Sequence, residues 1–346
     1  MSRRFRRFLF YSAVAIFILV TPPVVLYAFG YSFDFQKWHV VAAGGLYLKS
    51  TPSAAQITLD GENAGLTTRL ITRLLPRNYN VIVTKDGYFA WQKKMEVRPQ
   101  LVTEARNIFL FPIQVSSELV AQNATTTVSN FLRTDSEKQN QNQAQLIASS
   151  TAGWLLNNDQ IFYISEINFN LYQQSLNGSN NQQLSQEPLP ASHYQILTNN
   201  GAHFLILSDT GSLYYLDRTD GVFQPIAQEV KDAELATDNK KILYWSDNEI
   251  WVYFLDEILI QPYRQAGEKE LITRYAQKIS QAIFYPNNEY IAFVVGDQIK
   301  ITELDGRDQR NTVDFIQAPT PQIYFNQQNG YFYFLTQNQI FRLSLD

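Results

Sequence analysis

The chain has 346 residues, of which 45% are hydrophobic, 14% aromatic and 17% charged. This length allows two domains with separate cores, and the aromatic content excludes an intrinsically disordered chain. The absence of cysteine excludes a disulfide scaffold, thiol catalysis and a thiolate metal site. A net charge of −4 argues against a nucleic-acid partner, because nucleic-acid-binding proteins carry a basic face.

The N-terminus combines a basic start, residues 1–7 with four arginines, with a long apolar run. Residues 8–29 are uncharged and would span about 33 Å as a helix, enough to cross a bilayer. Positive charge before the run predicts a cytoplasmic N-terminus and extracytoplasmic C-terminal domains. We therefore expect a single-pass protein of the cell membrane, with the lipid bilayer as its first partner.

A cleaved signal peptide is the alternative interpretation of the same segment. Phe8–Val20 would be its apolar region, and Ala28-Phe29-Gly30 has the small-x-small pattern of a cleavage site. The apolar run is long for a signal peptide, which favours an uncleaved anchor.

Residues 45–112 alternate apolar and polar positions, as half-buried strands do. The predicted strand regions are 46–52, 55–65, 79–88 and 105–112. Asp60-Gly61 and Asp86-Gly87 are typical hairpin turns between them. The pattern predicts a compact β-domain.

This region resembles the PEGA domain, a small bacterial surface-associated β-domain. The matching residues are Ser50-Thr51-Pro52-Ser53-Ala54-Ala55, Ile57-Thr58-Leu59-Asp60-Gly61, Leu75-Pro76, Tyr79, Val81, Val83, Lys85, Asp86-Gly87-Tyr88 and Trp91. The sequence departs from the family at Asn78, where Gly is usual, at Thr67-Thr68, and in the name-giving tetrapeptide, which is Pro-Ser-Ala-Ala here. The resemblance implies a small β-sandwich and no particular chemistry, because the family is defined by sequence.

Residues 116–143 are rich in Gln, Asn, Ser and Thr, which predicts a linker. Beyond them, residues 144–346 contain five similar segments. The segments are centred on turns at Asn158, Asn200, Asn239, Asn288 and Asn329, which lie 39 to 49 residues apart. A repeat of about 40 residues with several short strands is typical of a β-propeller blade.

The fourth repeat, with Pro286-Asn287-Asn288 at its first turn, resembles a TolB-type propeller repeat. This resemblance implies the propeller fold and no particular partner. Five blades are favoured, and six are possible if residues 116–150 form a degenerate blade. Because the last repeat ends after its third strand, we expect Ala144–Ser150 to supply the missing strand beside Gln339–Leu345. The fold class is therefore an all-β ectodomain behind one N-terminal helix.

No nucleophile, metal-binding or phosphate-binding motif occurs in the sequence. The three histidines, His39, His193 and His203, have no metal-site spacing. The acidic residues fall in predicted turns, where they form local backbone bonds; they are Asp217, Asp220, Asp247, Asp256, Glu257, Asp297, Asp305 and Asp308. We therefore predict no catalytic residue, no metal and no cofactor, and the sequence identifies no binding residue.

Aromatic runs in the repeats favour core packing between blades over a ligand platform. The runs are Tyr214-Tyr215, Tyr244-Trp245, Trp251 to Phe254 and Tyr331 to Phe334. Tyr31 and Trp38 have a different interpretation, as anchors at the outer membrane interface.

These patterns predict a non-catalytic binding or scaffold protein of the bacterial cell envelope, with an envelope protein, a peptide or a glycan as partner. The alternative is an envelope hydrolase for glycan or peptide, which requires two carboxylates about 5–10 Å apart at the propeller mouth. A spacer that uses the Gln/Asn tract is a third hypothesis. A binding face would use turns such as Asp209–Ser212, Asp247–Glu249 and Asp305–Asp308, or the opposite Asn turns, and the sequence does not choose between them.

Overall fold

The computed structural model describes residues 3–35, 37–124, 127–133, 135–148, 150–198, 200–327 and 329–343. The chain divides into two compact units. Unit 1 comprises Met1–Ile113 with the short segment Arg307–Asn311, and unit 2 comprises Gln114–Gly306 with Thr312–Asp346.

Unit 1 begins with helix α1, Arg3–Ala28, which continues through Pro22 and Pro23 and buries none of its side chains. Among the described residues it is the one helix long and apolar enough to cross a membrane. An N-terminal apolar helix is therefore confirmed. Its length and composition agree with an anchor and with a signal sequence alike.

A short hairpin that the sequence did not reveal follows α1. Strands β1, Tyr31–Asp34, and β2, His39–Ala42, pair antiparallel. The ring of Phe33 lies 5.0 Å from Phe35 and 6.0 Å from Trp38, between ring centroids. Phe35 and Trp38 are 78% and 80% exposed. The hairpin thus presents an aromatic tip to its surroundings.

The rest of unit 1 is a two-sheet β-sandwich. Its strands are β3 Gly44–Thr51, β4 Gln56–Leu59, β5 Glu62–Leu66, β6 Arg69–Leu74, β7 Asn78–Thr84, β8 Trp91–Glu96 and β9 Val102–Phe109. The sheet orders are β6-β3-β9 and β5-β4-β7-β8. The core contains apolar side chains of both sheets, such as Leu46 and Leu48 of β3 and Ile57 of β4. The predicted small β-domain is thereby confirmed.

Two strands of the sandwich, β6 and β8, escaped the sequence analysis. In β8 the inward positions are Trp91, Lys93 and Met95, so that a lysine interrupts the apolar alternation. The Lys93 ammonium lies 5.9 Å from the Trp91 ring and donates to the Gln309 carbonyl at 3.2 Å. The alternation of apolar and polar residues did not predict this strand, because that pattern assumes apolar inward residues and Lys93 is a buried cation with a carbonyl partner.

The edge strand β8 is also hydrogen-bonded by side chains of Arg307–Asn311 within unit 1. The Gln92 backbone N–H donates to Asn311 Oδ1 at 3.1 Å, and the Lys94 backbone N–H donates to Asp308 Oδ2 at 2.9 Å. These side chains satisfy backbone groups that an edge strand otherwise leaves unpaired.

The described residues of unit 2 form five four-stranded antiparallel sheets, the number that the sequence favours. Sheet 1 has β11 Thr151–Asn157, β12 Gln160–Ser165, β13 Leu171–Ser175 and β14 Gln182–Gln183. Sheet 2 has β15 Tyr194–Leu197, β16 His203–Ser208, β17 Leu213–Asp217 and β18 Phe223–Ala227. Sheet 3 has β19 Asp232–Leu235, β20 Lys241–Trp245, β21 Glu249–Phe254 and β22 Lys269–Arg274. Sheet 4 has β23 Ile279–Phe284, β24 Tyr290–Val295, β25 Gln298–Glu303 and β26 Thr312–Gln317.

Sheet 5 is assembled from two distant parts of the chain. Strands β27 Gln322–Asn326, β28 Tyr331–Thr336 and β29 Gln339–Leu343 are completed by β10, Ser117–Ala121. Strand β10 pairs antiparallel with β29, and Glu118 forms an ion pair with Arg342 across them. The closing strand therefore lies inside the predicted linker.

The prediction that Ala144–Ser150 closes the last sheet is wrong. That segment belongs mostly to helix α3, Asp135–Ile147, which follows the short helix α2, Val128–Leu132. Ala144 and Ala148 lie one turn apart and pack with Ile161 of sheet 1. Good helix formers with an i, i+4 apolar pair explain the helix. Ser149 and residues 344–346 lie outside the described residues. The degenerate sixth blade over 116–150 is replaced by β10, α2 and α3.

Consecutive sheets of unit 2 pack face to face through apolar clusters. Phe162 and Phe204 belong to one cluster of sheets 1 and 2, with ring centroids 4.9 Å apart. Leu207 and Ile242 belong to a cluster of sheets 2 and 3. Trp245 and Phe293 belong to a cluster of sheets 3 and 4. Stacked four-stranded sheets of this kind are the blades of a β-propeller fold.

Candidate binding site

A pocket of about 650 Å³ opens at one end of unit 2. Its lining residues are Lys231, Asp232, Trp245, Gln277, Lys278, Ser280, Gln281, Gly296, Thr320, Pro321 and Gln322. Most of them lie where the first strands of sheets 3, 4 and 5 begin. The volume falls within the range of about 300–1,000 Å³ that is typical of small-molecule sites.

Strand register places an acidic and an aromatic side chain side by side in this pocket. Asp232 on β19 lies directly opposite Trp245 on β20. Directly opposite residues of an antiparallel pair point to the same face of a sheet. Trp245 belongs to the cluster between sheets 3 and 4, so both side chains are directed towards sheet 4.

Trp245 carries an unsatisfied donor at the pocket wall. The residue is 3% exposed, and its indole N–H has no hydrogen-bond acceptor among the described residues. Leaving a buried donor unpaired costs about 1–3 kcal/mol. By contrast, the indole N–H of Trp251, one strand further in the same sheet, donates to Glu249 Oε2 at 2.8 Å. Trp245 therefore combines a place in the pocket wall with a buried, unpaired N–H.

Asp232 supplies an acceptor next to that donor. Its Oδ1 accepts the backbone N–H of Ala233 at 2.8 Å. Burial raises the pKa of the Asp232 carboxyl, while the Ala233 hydrogen bond and the Lys231 charge act in the opposite direction. A carboxyl with a raised pKa gains from any further donor that binds to it.

The two lysines of the pocket are paired with an acidic residue at its rim. Lys231 Nζ and Lys278 Nζ lie 3.3 and 3.1 Å from Asp247 Oδ1. Their hydrogen bonds, from Lys278 first and then from Lys231, lower the pKa of Asp247. Lys231 Nζ also donates to the Ile279 carbonyl at 3.2 Å. Asp247 therefore offsets much of the positive charge.

A glycine makes room for one of the amide side chains in the wall. A Cβ at Gly296 would lie 2.2 Å from Nε2 of Gln277, and the φ angle of Gly296 is +58°. Any side chain here would displace the Gln277 amide, and the positive φ itself favours glycine.

Polar side chains in the pocket wall and next to it also join neighbouring sheets. Glu234 Oε2 accepts the backbone N–H of Phe284 at 2.6 Å, from sheet 3 to sheet 4. Burial raises the pKa of Glu234 to about 8, and the charge of Asp232 adds to this rise. Gln281 donates to the Ile323 carbonyl at 2.7 Å and accepts the Ile323 N–H at 2.8 Å, from sheet 4 to sheet 5.

The turns named by the sequence do not all lie at the same end of the sheets. Asp209–Ser212 and Asp247–Glu249 connect second to third strands, at the end where the pocket opens. Asp305 follows the third strand of sheet 4, so it lies at the opposite end with the Asn turns. Its grouping with Asp247–Glu249 was therefore wrong, since successive antiparallel strands alternate in direction.

Several acidic residues have the turn role that their sequence context indicates. Asp217 Oδ1 accepts the Thr219 N–H at 2.8 Å, and Asp220 Oδ1 accepts the Val222 N–H at 3.0 Å. His203 Nδ1 lies 2.8 Å from the Tyr215 hydroxyl and 3.5 Å from Asp217 Oδ2. Among the described residues, no group of three or more His, Cys, Asp or Glu side chains has the geometry to hold a metal ion.

Sequence reasoning missed the pocket residues Asp232, Gln277 and Ser280, and it assigned Trp245 to core packing. One signal for Asp232 was present: the position seven residues before each Asn turn is polar in all five repeats. It is Thr151, His193, Asp232, Gln281 and Gln322. Since most side chains of these strands are apolar, a polar position repeated in every sheet indicates an end of the core or a site.

Comparisons with known proteins agree with parts of this description. Residues 43–108 match the PEGA domain family. No curated protein matches the sequence closely enough to indicate a relative.

Among solved structures, the chain is similar to the β-propeller domain of Cps50 (Swd1) from Myceliophteria thermophila. The identity is 12%, the coverage 82% of this chain and 87% of that chain, and the TM-score 0.39. An auxiliary nutrient binding protein from Bacteroides thetaiotaomicron has 11% identity, coverage of 84% and 78%, and a TM-score of 0.34. YCF48 from Cyanidioschyzon merolae has 11% identity, coverage of 55% and 65%, and a TM-score of 0.40. All three TM-scores lie below 0.5, so they carry no inference about function. Within this chain, residues 43–108 thus carry the sequence of a PEGA domain.

Proposed function

We propose that this protein is a membrane-anchored binding protein of the bacterial cell envelope, which holds a small polar ligand in the pocket at sheets 3 to 5. One observation carries the binding function. Polar side chains from three neighbouring sheets line one pocket of about 650 Å³, among them Asp232, Ser280 and Gln322. Small-molecule sites combine a cavity of this size with a few convergent polar groups.

Helix α1 and the hairpin β1–β2 support the membrane anchor. The helix is long and apolar enough to span a bilayer, and basic residues precede its apolar part. The exposed rings of Phe35 and Trp38 follow it within ten residues, where aromatic side chains suit the headgroup region. These features support a cytoplasmic N-terminus, with the sheets of both units outside the membrane.

Protease accessibility tests the anchor and its orientation. Protease added to intact spheroplasts should digest both units outside the membrane and spare a small N-terminal fragment that contains α1. Protection of the whole chain would contradict the proposed orientation. Release of the mature chain without α1 would identify a signal peptide instead.

A retention experiment tests the binding function. The full chain in detergent is incubated with a small-molecule extract of cell envelopes, and the retained compounds are identified by mass spectrometry. We expect the wild type and the control Trp251→Phe to retain the same compound, and Asp232→Asn and Ser280→Ala to lose it. Equal retention by all four proteins would place the ligand elsewhere.

An envelope hydrolase is the second candidate function, because Asp232 and Glu234 lie two residues apart on β19 and both have raised pKa values. Two residues of a strand span about 6.5–7 Å, inside the separation that glycosidases use. However, Glu234 accepts a backbone hydrogen bond from Phe284, and it does not line the pocket. This favours a structural role for Glu234 and binding over catalysis.

Turnover measurements separate the two functions. We expect no cleavage of envelope glycans or peptides by the wild type. Cleavage that Glu234→Gln abolishes, with the fold intact, would establish the hydrolase. A spacer role through the Gln/Asn tract has less support, because residues 139–143 lie within α3.

A further inference from the structure

We infer that the hairpin β1–β2 lies in the lipid headgroup region on the side where α1 ends, and that it docks the sandwich of unit 1 on the bilayer. This inference rests on the membrane anchor of the proposed function and adds a second contact with the lipid. It follows from an exposed apolar face of the hairpin and from the direct connection of the hairpin to α1.

The strand register gives the hairpin one apolar face. Phe33 pairs directly with Val40, and Tyr31 pairs with Ala42. These four side chains point to the same side, because directly opposite residues and alternate residues of a strand share a face. The opposite face is mostly polar and consists of Ser32, Asp34, His39 and Val41. The hairpin is therefore amphipathic.

The apolar face is open to the surroundings. Phe33 and Val40 are 39% and 45% exposed. The rings of Phe35 and Trp38 contact the Phe33 ring and extend the apolar face at the tip of the hairpin. A two-stranded hairpin is at best marginally stable in water unless its apolar side packs against another surface. An exposed apolar patch of this kind indicates an interaction surface.

The connection to α1 makes lipid the occupant of that surface. Helix α1 ends at Ala28, and β1 begins at Tyr31. The Gly30 N–H donates to the Tyr27 carbonyl at 3.1 Å, and the Ala43 N–H donates to the Gly30 carbonyl at 2.9 Å. The base of the hairpin is thus bonded to the end of the membrane span, without a linker. At this depth, aromatic side chains prefer the headgroup region.

The sandwich has a second apolar patch next to the hairpin, because β3 begins one residue after β2 ends. A Cβ on Gly45, in β3, would lie 3.7 Å from the side chain of Leu70 and 3.6 Å from that of Val102. Both of these apolar side chains are exposed. Further along β9, the same side of the sheet is charged and holds the ion pair of Glu104 with Arg106. The apolar part of this surface is therefore the part nearest the hairpin.

A cation–π contact holds the sandwich beside the end of the helix. The guanidinium of Arg73, on β6, lies 3.9 Å from the centroid of the Tyr27 ring in the last turn of α1. Such a contact is attractive, because the face of the ring carries partial negative charge. Arg73 therefore places both apolar patches near the bilayer surface.

The fluorescence of the native Trp38 tests the lipid contact. The full chain is reconstituted into phosphatidylcholine vesicles whose acyl chains carry bromine, which quenches tryptophan, either near the headgroups or near the chain ends. We expect stronger quenching by the shallow bromines, and loss of this quenching in Trp38→Phe. Trp91 lies in the sandwich core and the other three tryptophans lie in unit 2, so the control Trp251→Phe should keep the quenching.

A pair of spin labels tests which face of the hairpin contacts lipid. The chain contains no cysteine, so Val40→Cys and His39→Cys each create a single labelling site. The two positions are adjacent in β2 and point to opposite faces. We expect the label at position 40 to be more accessible to oxygen, which concentrates in lipid. The label at position 39 should be more accessible to a water-soluble nickel complex. Circular dichroism establishes that each variant is folded.

Other outcomes would overturn the inference. Quenching that Trp38→Phe leaves unchanged, or equal accessibility of the two labels, contradicts a lipid contact through the apolar face. A label at position 40 that is shielded from both reagents and coupled to a second label would show a contact between two copies of the chain.

The membrane anchor is assessed separately, by the protease experiment. A spanning α1 with an unquenched Trp38 would overturn the docked hairpin and leave the anchor intact. Cleavage of α1 with a quenched Trp38 would overturn the anchor alone.

Discussion

In two places in unit 2, a side chain of one sheet forms hydrogen bonds with the backbone of the next sheet. These two contacts, between sheets 3 and 4 and between sheets 4 and 5, are called junctions here, and they use different side chains. Between sheets 4 and 5, the neutral amide of Gln281 satisfies both the N–H and the carbonyl of Ile323. Between sheets 3 and 4, Glu234 satisfies only the N–H of Phe284, and burial raises its pKa to about 8.

The difference shows where the fold tolerates ionisable groups. A neutral amide joins two sheets without a dependence on pH, whereas a buried carboxyl gives a junction whose stability changes with pH. The junction of sheets 3 and 4 also contains Asp232 and the buried Lys241. The pocket spans both junctions, and its ionisable wall residues Lys231 and Asp232 lie on the side of sheet 3.

The largest expected effect comes from Glu234→Gln, which makes the junction of sheets 3 and 4 resemble the next one. The wild-type carboxyl keeps its proton in the folded state up to about pH 8, whereas in the unfolded chain it ionises near the ordinary glutamate pKa of 4.5. The contribution of this carboxyl to stability is therefore fully present below pH 4.5 and is lost as the pH rises to 8. The variant should equal the wild type near pH 4.5 and exceed its unfolding free energy by a few kcal/mol at pH 9.

Thermal unfolding of the full chain in detergent between pH 4.5 and 9 measures this gain. Glu187→Gln, at an exposed position, is the control and should follow the wild type. Parallel stability curves for Glu234→Gln and the wild type would show that Glu234 has an ordinary pKa.

The reciprocal change, Gln281→Glu, should make the stability of the junction between sheets 4 and 5 depend on pH. It removes the donor to the Ile323 carbonyl and places a carboxylate against that oxygen. We expect the free energy of unfolding, measured by urea unfolding, to fall by about 3 kcal/mol at pH 8. The fall should be smaller at pH 4.5, where the carboxyl is protonated. Gln322→Glu, on the exposed side of β27, should cost less than about 0.5 kcal/mol. A loss that does not depend on pH would contradict the prediction.

Lys241→Met tests the cation of the same polar junction. Lys241 Nζ donates to the Asn288 carbonyl at 2.7 Å and lies 2.8 Å from Glu289 Oε1. Its side chain is 3% exposed, and that of Glu289 is 33% exposed. We expect the free energy of unfolding to fall by about 2 kcal/mol. The fall is limited to this size because the partially exposed carboxylate of Glu289 recovers some hydration.

A double-variant cycle sharpens this prediction. Lys241→Met combined with Glu289→Gln should be less destabilised than the sum of the single changes, since no carboxylate is left unpaired. Full additivity in urea unfolding would show that the ion pair contributes nothing.

The smallest expected effect is that of Thr237→Val. Asn288 Nδ2 donates to Thr237 Oγ1 at 2.7 Å, and the exposed threonine loses only this bond. We expect a loss of about 0.5–1 kcal/mol. Thr237→Ser keeps the hydroxyl and should stay closer to the wild type in the same unfolding assay. An equal loss in both variants would show that the hydrogen bond is not the cause, because serine keeps the hydroxyl.

Local patterns predicted much of the fold. The turn at Asp60-Gly61 takes positive φ angles of 50° and 90°, as its sequence indicates. The five Asn turns correctly mark five sheets, because each hairpin is formed by residues close in sequence. Strand β8 was not predicted from local patterns. Its inward-facing Lys93 is charged, and its ammonium donates to a carbonyl 216 residues away, which no local pattern shows.

The sequence by itself determined the apolar helix, the PEGA-like sandwich and the repeated sheets, because uninterrupted hydrophobicity, short turns and a regular period are local properties. Only the tertiary structure decided which strand closes sheet 5 and which residues share the pocket. Strand β10 closes the sheet by pairing with β29, more than 200 residues away, which places Glu118 beside Arg342. Asp232 and Trp245 meet through strand register, and the pocket wall is completed from sheets 4 and 5. Such long-range pairings depend on packing between segments, which no local pattern of residues records.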